Sequence, residues 1–162
     1  MHGHPYAAGL DQNQANHVPL SPLTFLERAA TVFPHKPAVI HGDRVLTWKE
    51  TYTRCRRLAS ALLGRGVRRG DTVATMLPNV PAMFEAHFGV PMMGAVLNTL
   101  NTRLDAESIA FMLRHGEARV LLTDREFFPV ISRVKELLDD HDLLIIDVDD
   151  PAAPAGEAQG SI

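Results

Sequence analysis

Four short apolar runs, separated by stretches of helical periodicity, constrain this 162-residue chain more than any other feature. The runs are Thr72–Leu77, Ala95–Leu100, Arg119–Thr123 and Leu143–Val148. Each is too short for a buried helix and carries apolar residues at successive positions, so both faces of a strand would be covered. Between them, apolar residues recur at helical spacing over residues 80 to 93, Ala106 to His115 and Glu126 to Leu138. Strands alternating with helices at this spacing predict an α/β fold: a doubly wound, mostly parallel sheet built from flavodoxin- or Rossmann-like βα units.

The segment before these runs has its own signals. Ser21-Pro22 opens a helix as N-cap and first position, with Leu23, Leu26, Ala30 and Phe33 on its stripe and Pro34 after it. Gly42-Asp43, between Ala38–His41 and Arg44–Leu46, reads as the turn of an amino-terminal β-hairpin. Thr47 and Glu50 form a capping box for a second helix. That helix places Trp48, Tyr52, Cys55, Leu58, Ala59, Leu62 and Leu63 on one face and ends at Gly64-Arg65-Gly66. Residues 1–18 and 149–162 are expected to be a tail and a flexible end or linker, leaving 19–148 as one α/β unit.

Composition narrows the function. A formal net charge of -3 gives no electrostatic reason to expect a nucleic-acid partner, and the short arginine clusters read as a solvated helix face and its exit turn. Cys55, the single cysteine, falls on an apolar stripe, which makes it a core residue and not a nucleophile, and suits a reducing, cytoplasmic setting. No amino-terminal signal pattern and no run of about 18 apolar residues appears, so no transmembrane segment is expected.

Most candidate motifs dissolve on inspection. Gly64-x-Gly66-x-x-x-Gly70 follows a helix and precedes a strand, the reverse of a dinucleotide fingerprint. No phosphate loop, HExxH, zinc-type Cys/His set or GxSxG elbow is present. The His2-His4 pair and the acidic clusters at Asp139-Asp140 and Asp147, Asp149 and Asp150 have no converging ligands, so no metal site is assigned. No residue presents itself as catalytic. The loop Asn101-Thr102-Arg103 is what remains. It lies between a strand end and a helix capped by Asp105, and offers a cation and backbone amides to a phosphate-bearing ligand. A capped turn with an exposed Arg accounts for the same residues.

Three segments together carry a resemblance. They are Leu46–Glu50 with Leu58–Ala74, Leu77-Pro78-Asn79 running to Phe88-Gly89, and Gly94–Leu104 with Glu117–Asp124. In order and spacing they resemble the amino-terminal subdomain of the acyl-CoA synthetases, in the adenylate-forming superfamily. Such enzymes use ATP, Mg and CoA to convert a carboxylic acid to an acyl-adenylate and then to an acyl-CoA, with domain rotation between the half-reactions.

The resemblance implies that Asn101, Thr102 and Arg103 lie near the CoA nucleotide. Asn-Thr-Arg-Leu at 101–104 is similar to the branch handling medium-chain, branched or methylthio-alkanoic acids. The family's Ser/Thr/Gly-rich phosphate loop and later catalytic Lys have no match here; the lysines are Lys36, Lys49 and Lys135. The implied molecule is a fragment of an acid–CoA ligase, inactive by itself and binding no cofactor tightly. Its partners would be the remainder of the enzyme, the acid, ATP and CoA, and the uncovered apolar surface would favour a homo-oligomer. A non-catalytic interaction or regulatory module on the same scaffold, and an unrelated flavodoxin-like binding protein, are the alternatives.

Overall fold

The computed structural model describes residue 9 and residues 11–150. The expectations for 1–8, 10 and 151–162, including the His2-His4 pair, lie outside the described residues. In chain order the elements are α1 (Pro22–Val32), β1 (Pro37–His41), β2 (Arg44–Thr47), α2 (Trp48–Gly64), β3 (Thr72–Met76) and α3 (Pro81–Met92). They continue with β4 (Val96–Thr99), α4 (Ala106–His115), β5 (Ala118–Asp124), α5 (Phe128–Leu137) and β6 (Leu144–Val148).

β1 and β2 form a separate antiparallel hairpin, with Gly42 at φ +56° in its turn. The other four strands make one parallel sheet in the order β4-β3-β5-β6. Side chains alternate across this sheet as the pleat requires. On one face Ala74, Met76 and Leu121 pack against Ile109 and Leu113 of α4 and Ile131 and Val134 of α5. On the other, Val73, Val120 and Leu122 meet Leu62 of α2 and Ala86 and Val90 of α3. The sheet is therefore wound on both faces, as the alternation of runs predicts.

Local signals act as read. Ser21, Thr47 and Asp105 cap their helices, and the Thr47–Glu50 capping box is complete. The Thr47 hydroxyl accepts from the Glu50 amide, and the Glu50 carboxylate accepts from the Thr47 amide at 2.8 Å, which holds the Glu50 carboxyl below its ordinary pKa. α2 runs through Gly64, and Gly66, at φ +84°, makes the left-handed turn after it.

Other details depart from the sequence reading. β4 is not covered on both faces: it is the edge strand, and Val96 is 52% exposed. Leu63 is exposed, and Thr51 is buried on the face of α2 that meets the fold. The helix expected from Glu126 begins as a short 3-10 turn, Arg125–Phe127, capped by Asp124. The α-helix proper starts at Phe128, with Pro129 in its first turn where a missing N–H is tolerated.

Arg54 is the largest departure. It is no part of a solvated arginine face: Nε and Nη2 bond both oxygens of the buried Glu85 of α3, at 2.5 and 3.2 Å. The α2–α3 contact is also close at Gly89, where an added Cβ would lie 2.9 Å from the Cys55 carbonyl oxygen and 3.0 Å from Leu58. Burial pushes the Cys55 thiol up to about 12, with the nearby Glu85 charge adding to the shift, which fits an inert core position.

Gly89→Ala is expected to cost about 1–3 kcal/mol, because the backbone carbonyl it meets cannot rotate away. Arg54→Met leaves a buried carboxylate unpaired. A fully buried pair would lose about 3–5 kcal/mol, and partial exposure of Arg54 discounts this to about 2–3 kcal/mol. Urea denaturation checks both. The double variant Arg54→Met/Glu85→Leu should recover most of the second loss.

Candidate functional site

In an open α/β sheet, ligands bind beyond the carboxyl ends of the strands, where the crossover direction reverses. Here the chain leaves β3 for its neighbour β4, then crosses back to β5 on the other side. The reversal therefore lies between β3 and β5. Four segments rise over this edge: Leu77–Val80 after β3, residues 100–105 after β4, Asp124–Phe127 after β5, and Asp149-Asp150 after β6.

Asn101-Thr102-Arg103 is positioned by its two flanks. The Leu100 amide bonds the Thr75 carbonyl at 2.8 Å, which extends the β4–β3 ladder by one residue. The Asn101 side-chain oxygen accepts from the Arg103 amide at 2.9 Å, a local turn that Asn is suited to make. Asp105 then caps α4 by accepting from the Ser108 amide at 2.7 Å, and that bond holds the Asp105 carboxyl below its usual range. Asn101 and Arg103 are exposed and Thr102 is half-buried.

Asn101 and Thr102 share a cleft of about 530 Å³ with Pro78, Asn79, Met83 and Thr99. Arg103 does not line it and has no ion-pair partner among the described residues. The structure thus unites Asn101 and Thr102 with the loop after β3, and leaves Arg103 outside the lining.

A second cluster joins Asp149 and Asp150 of the acidic run noted in the sequence to Asp124, Arg125 and Glu126, which were not singled out there. Asp124, 1% exposed, accepts from the Glu126 amide at 3.1 Å through Oδ1, while Oδ2 is buried without a hydrogen-bond partner. Arg125 reaches Asp149 at 3.2 Å through Nη1, yet its Nε is buried and unmatched. Burial, and then the charges of Asp124 and Asp150, raise the Glu126 carboxyl above its ordinary pKa. Asp150 in turn bonds His41 of β1 at 3.0 Å, which ties the hairpin to this edge. The signal for this cluster was the Thr-Asp-x-Glu sequence at a strand end, but only the strand order shows that it flanks the reversal point.

The other acidic cluster is engaged in pairing: Asp140 bonds Arg114 at 2.8 Å. Among the described residues no group of three or more His, Cys, Asp or Glu is placed to hold a metal ion. No described helix is long and apolar enough to cross a membrane. His87 is exposed, with Nδ1 on the Met83 carbonyl at 2.8 Å, and His115 ends α4 stacked on Phe111.

Comparison with known proteins places this geometry. The family model described as AMP-binding enzyme matches residues 26–161. The chain is 50% identical over 147 residues to a peroxisomal acetate/butyrate–CoA ligase of Arabidopsis thaliana, covering 86% of this chain and 26% of that protein. It is 52% identical over 129 residues to an acetate–CoA ligase of Humulus lupulus, covering 80% and 23%.

Among solved structures, an anthranilate CoA ligase in complex with anthranoyl-AMP superposes with a TM-score of 0.73 at 28% identity, over 83% of this chain and 27% of that one. A Mycobacterium tuberculosis fatty acyl CoA synthetase gives a TM-score of 0.73 at 26% identity, over 79% and 26%. The chain spans about a quarter of the length of these relatives.

The raised Glu126 pKa has a definite sign. A carboxyl whose folded pKa is above its unfolded value binds more protons when folded, so it favours folding at low pH and opposes it once pH rises through the folded pKa. Glu126→Gln should therefore raise Tm at pH 7, and the gap to the parent chain should close as pH falls toward about 4.5. A thermal-melt series across pH checks this.

Proposed function

Since the chain belongs to the AMP-binding enzyme family, we propose that it is the amino-terminal α/β unit of an ATP-dependent acid–CoA ligase. In that reaction a carboxylate attacks the α-phosphorus of ATP, giving an acyl-adenylate and releasing pyrophosphate. The CoA thiol then displaces AMP to give the acyl-CoA and a proton. The observation that carries this reading is the family match itself. It spans residues 26–161, a range that takes in all four segments at the carboxyl edge.

The relatives named for acetate and butyrate support a short- or medium-chain carboxylic acid as the substrate class, with fatty-acid metabolism as the setting this reading proposes. Flavodoxin-like strand order is retained, but the family match sets aside an unrelated flavodoxin-like binding protein.

Within this reading Asn101, Thr102 and Arg103 hold part of CoA. Arg103 is a cation with no ion-pair partner among the described residues, beside the amides of a turn and the start of α4, which suits a phosphate. CoA supplies the thiol that accepts the acyl group; this chain's part is to bind and orient its nucleotide end. ATP and Mg belong elsewhere in the parent on this reading, because the family's Ser/Thr/Gly-rich phosphate loop and later Lys have no match in this sequence. The chain by itself is thus inactive.

Residues 19–148 form the unit, and 1–18 and 149–162 flank it. Cys55, buried and unpaired, suits a reducing compartment. The cytoplasm is the first choice, and the peroxisome named for the Arabidopsis relative is the alternative. Exposed Phe25, Val32 and Phe33 at α1 give the isolated chain a surface for self-association.

The isolated chain should show no acid-dependent ATP–pyrophosphate exchange. A chimaera carrying residues 26–150 in place of the matching part of the Arabidopsis ligase should show it and form acyl-CoA. In that chimaera Arg103→Ala should raise KM for CoA about tenfold, as expected for one charge-assisted hydrogen bond, with exchange unchanged. Exchange by the isolated chain, or a folded chimaera without it, contradicts the reading. An unchanged KM removes Arg103 from the CoA site.

A further inference from the structure

Helix α3 has no polar face. Its ionisable residues are Glu85, turned into the contact with Arg54, and His87. A helix apolar on all sides is the pattern of a core helix, covered all round. Here Ala86, Gly89 and Val90 are buried, Ala86 and Val90 in the core between α2 and the sheet. Turned away from that core, Phe84, His87 and Phe88 line an open groove of about 600 Å³, with Met83, which packs on the core, at its margin and Val39 and Ile40 of β1 on its far wall. Phe84 and Phe88 pack on each other with ring centroids 5.0 Å apart, and Ile40 is 69% exposed.

We propose that this groove between α3 and β1 is an interaction surface for the remaining polypeptide of a ligase of this family, which lays an apolar segment along it. The proposal rests on the functional reading above. Three observations select that occupant. The chain spans 26% of the Arabidopsis ligase and 27% of the anthranilate ligase, so about three quarters of such a fold must meet this unit across some surface. No Asp, Glu, Lys or Arg lines the groove, and its two histidines are already engaged, His41 with Asp150 and His87 with the Met83 carbonyl, so no Lys or Arg is there to anchor a nucleotide phosphate. Its β1 wall belongs to a two-stranded hairpin, which is marginal unless further packing supports it. A second copy fits less well: a two-fold contact needs a self-complementary patch, and a concave groove set against itself leaves a void.

The test compares two contexts. Ile40→Lys and His87→Glu place charges at positions exposed in this chain, and Arg57→Glu on the exposed side of α2 is the control. In the isolated 162-residue chain all three should shift Tm by less than about 2 °C. In the chimaera with the Arabidopsis ligase, Ile40→Lys and His87→Glu should each lower Tm by about 5 °C or more, or abolish soluble expression, while Arg57→Glu stays near neutral.

Equal small shifts in both contexts would overturn the proposal. So would a chimaera in which hydrogen exchange at Phe84–Phe88 is as fast as in the isolated chain. Isolated chain dimerising through the groove, with Ile40→Lys restoring the monomer and no loss in the chimaera, would assign the surface to a second copy instead. The two readings fail separately. An active chimaera indifferent to groove charges rejects the interface alone, and an inactive chimaera destabilised by them rejects the ligase reading alone.

Discussion

The pairing of β3 on both of its edges is the constraint on which the rest of this structure depends. β3 bonds β4 through Thr72–Thr75 and β5 through Thr72–Met76, so the chain must depart to one side and return to the other. That reversal puts α3 on one face of the sheet and α4 and α5 on the opposite one. It buries β3 and β5 completely enough to make them the centre of two separate cores. It also opens the crevice between the loops after β3 and β5, which no local feature of sequence would create.

The polar groups near that crevice are of two kinds. The side chains of Asn101 and Asp105 are engaged in the turn and the cap they make, and Arg103 has no ion-pair partner among the described residues. Asp124 and Arg125 each keep a buried polar atom unmatched, and burial with the charges of Asp124 and Asp150 holds the Glu126 carboxyl above its ordinary pKa, a pattern common where a fold has been shaped for something other than its own stability. The Arg54–Glu85 pair and the close contact at Gly89 lock α2 to α3, and so fix the position of the loop that opens α3 at the same edge.

Much of this was legible in the sequence because it is local. Ser21, Thr47 with Glu50, and Asp105 each announce a helix start through hydrogen bonds made within three residues, and Gly42-Asp43 announces its hairpin the same way. The apolar runs revealed the parallel sheet because burial on both faces removes polar alternation. What was not legible is non-local. Arg54 looked solvated because its partner, Glu85, is thirty-one positions away. β4 was expected to be covered on both faces because Ala95–Leu100 is apolar, although strand order puts it at the edge and leaves Val96 exposed. Leu63, expected on the buried face of α2, is exposed, because which flank of an apolar stripe is covered depends on how neighbouring helices pack against it. The loop at 101–103 stood out through its own turn, while Asp124–Glu126 needed the order β4-β3-β5-β6 before its place at the reversal point could be seen.

Native-state hydrogen exchange on the isolated chain tests the central claim most directly, since it reads the strength of each strand pairing separately. With β3 as the keystone, the slowest amides should be those of Val73–Met76 and Val120–Thr123, exchanging only on global unfolding. Those of the β1–β2 hairpin and of the outer edge of β4 should open at much lower free energy. Exchange at β3 no slower than at the hairpin, or β3 opening while β5 and β6 stay protected, would contradict the account.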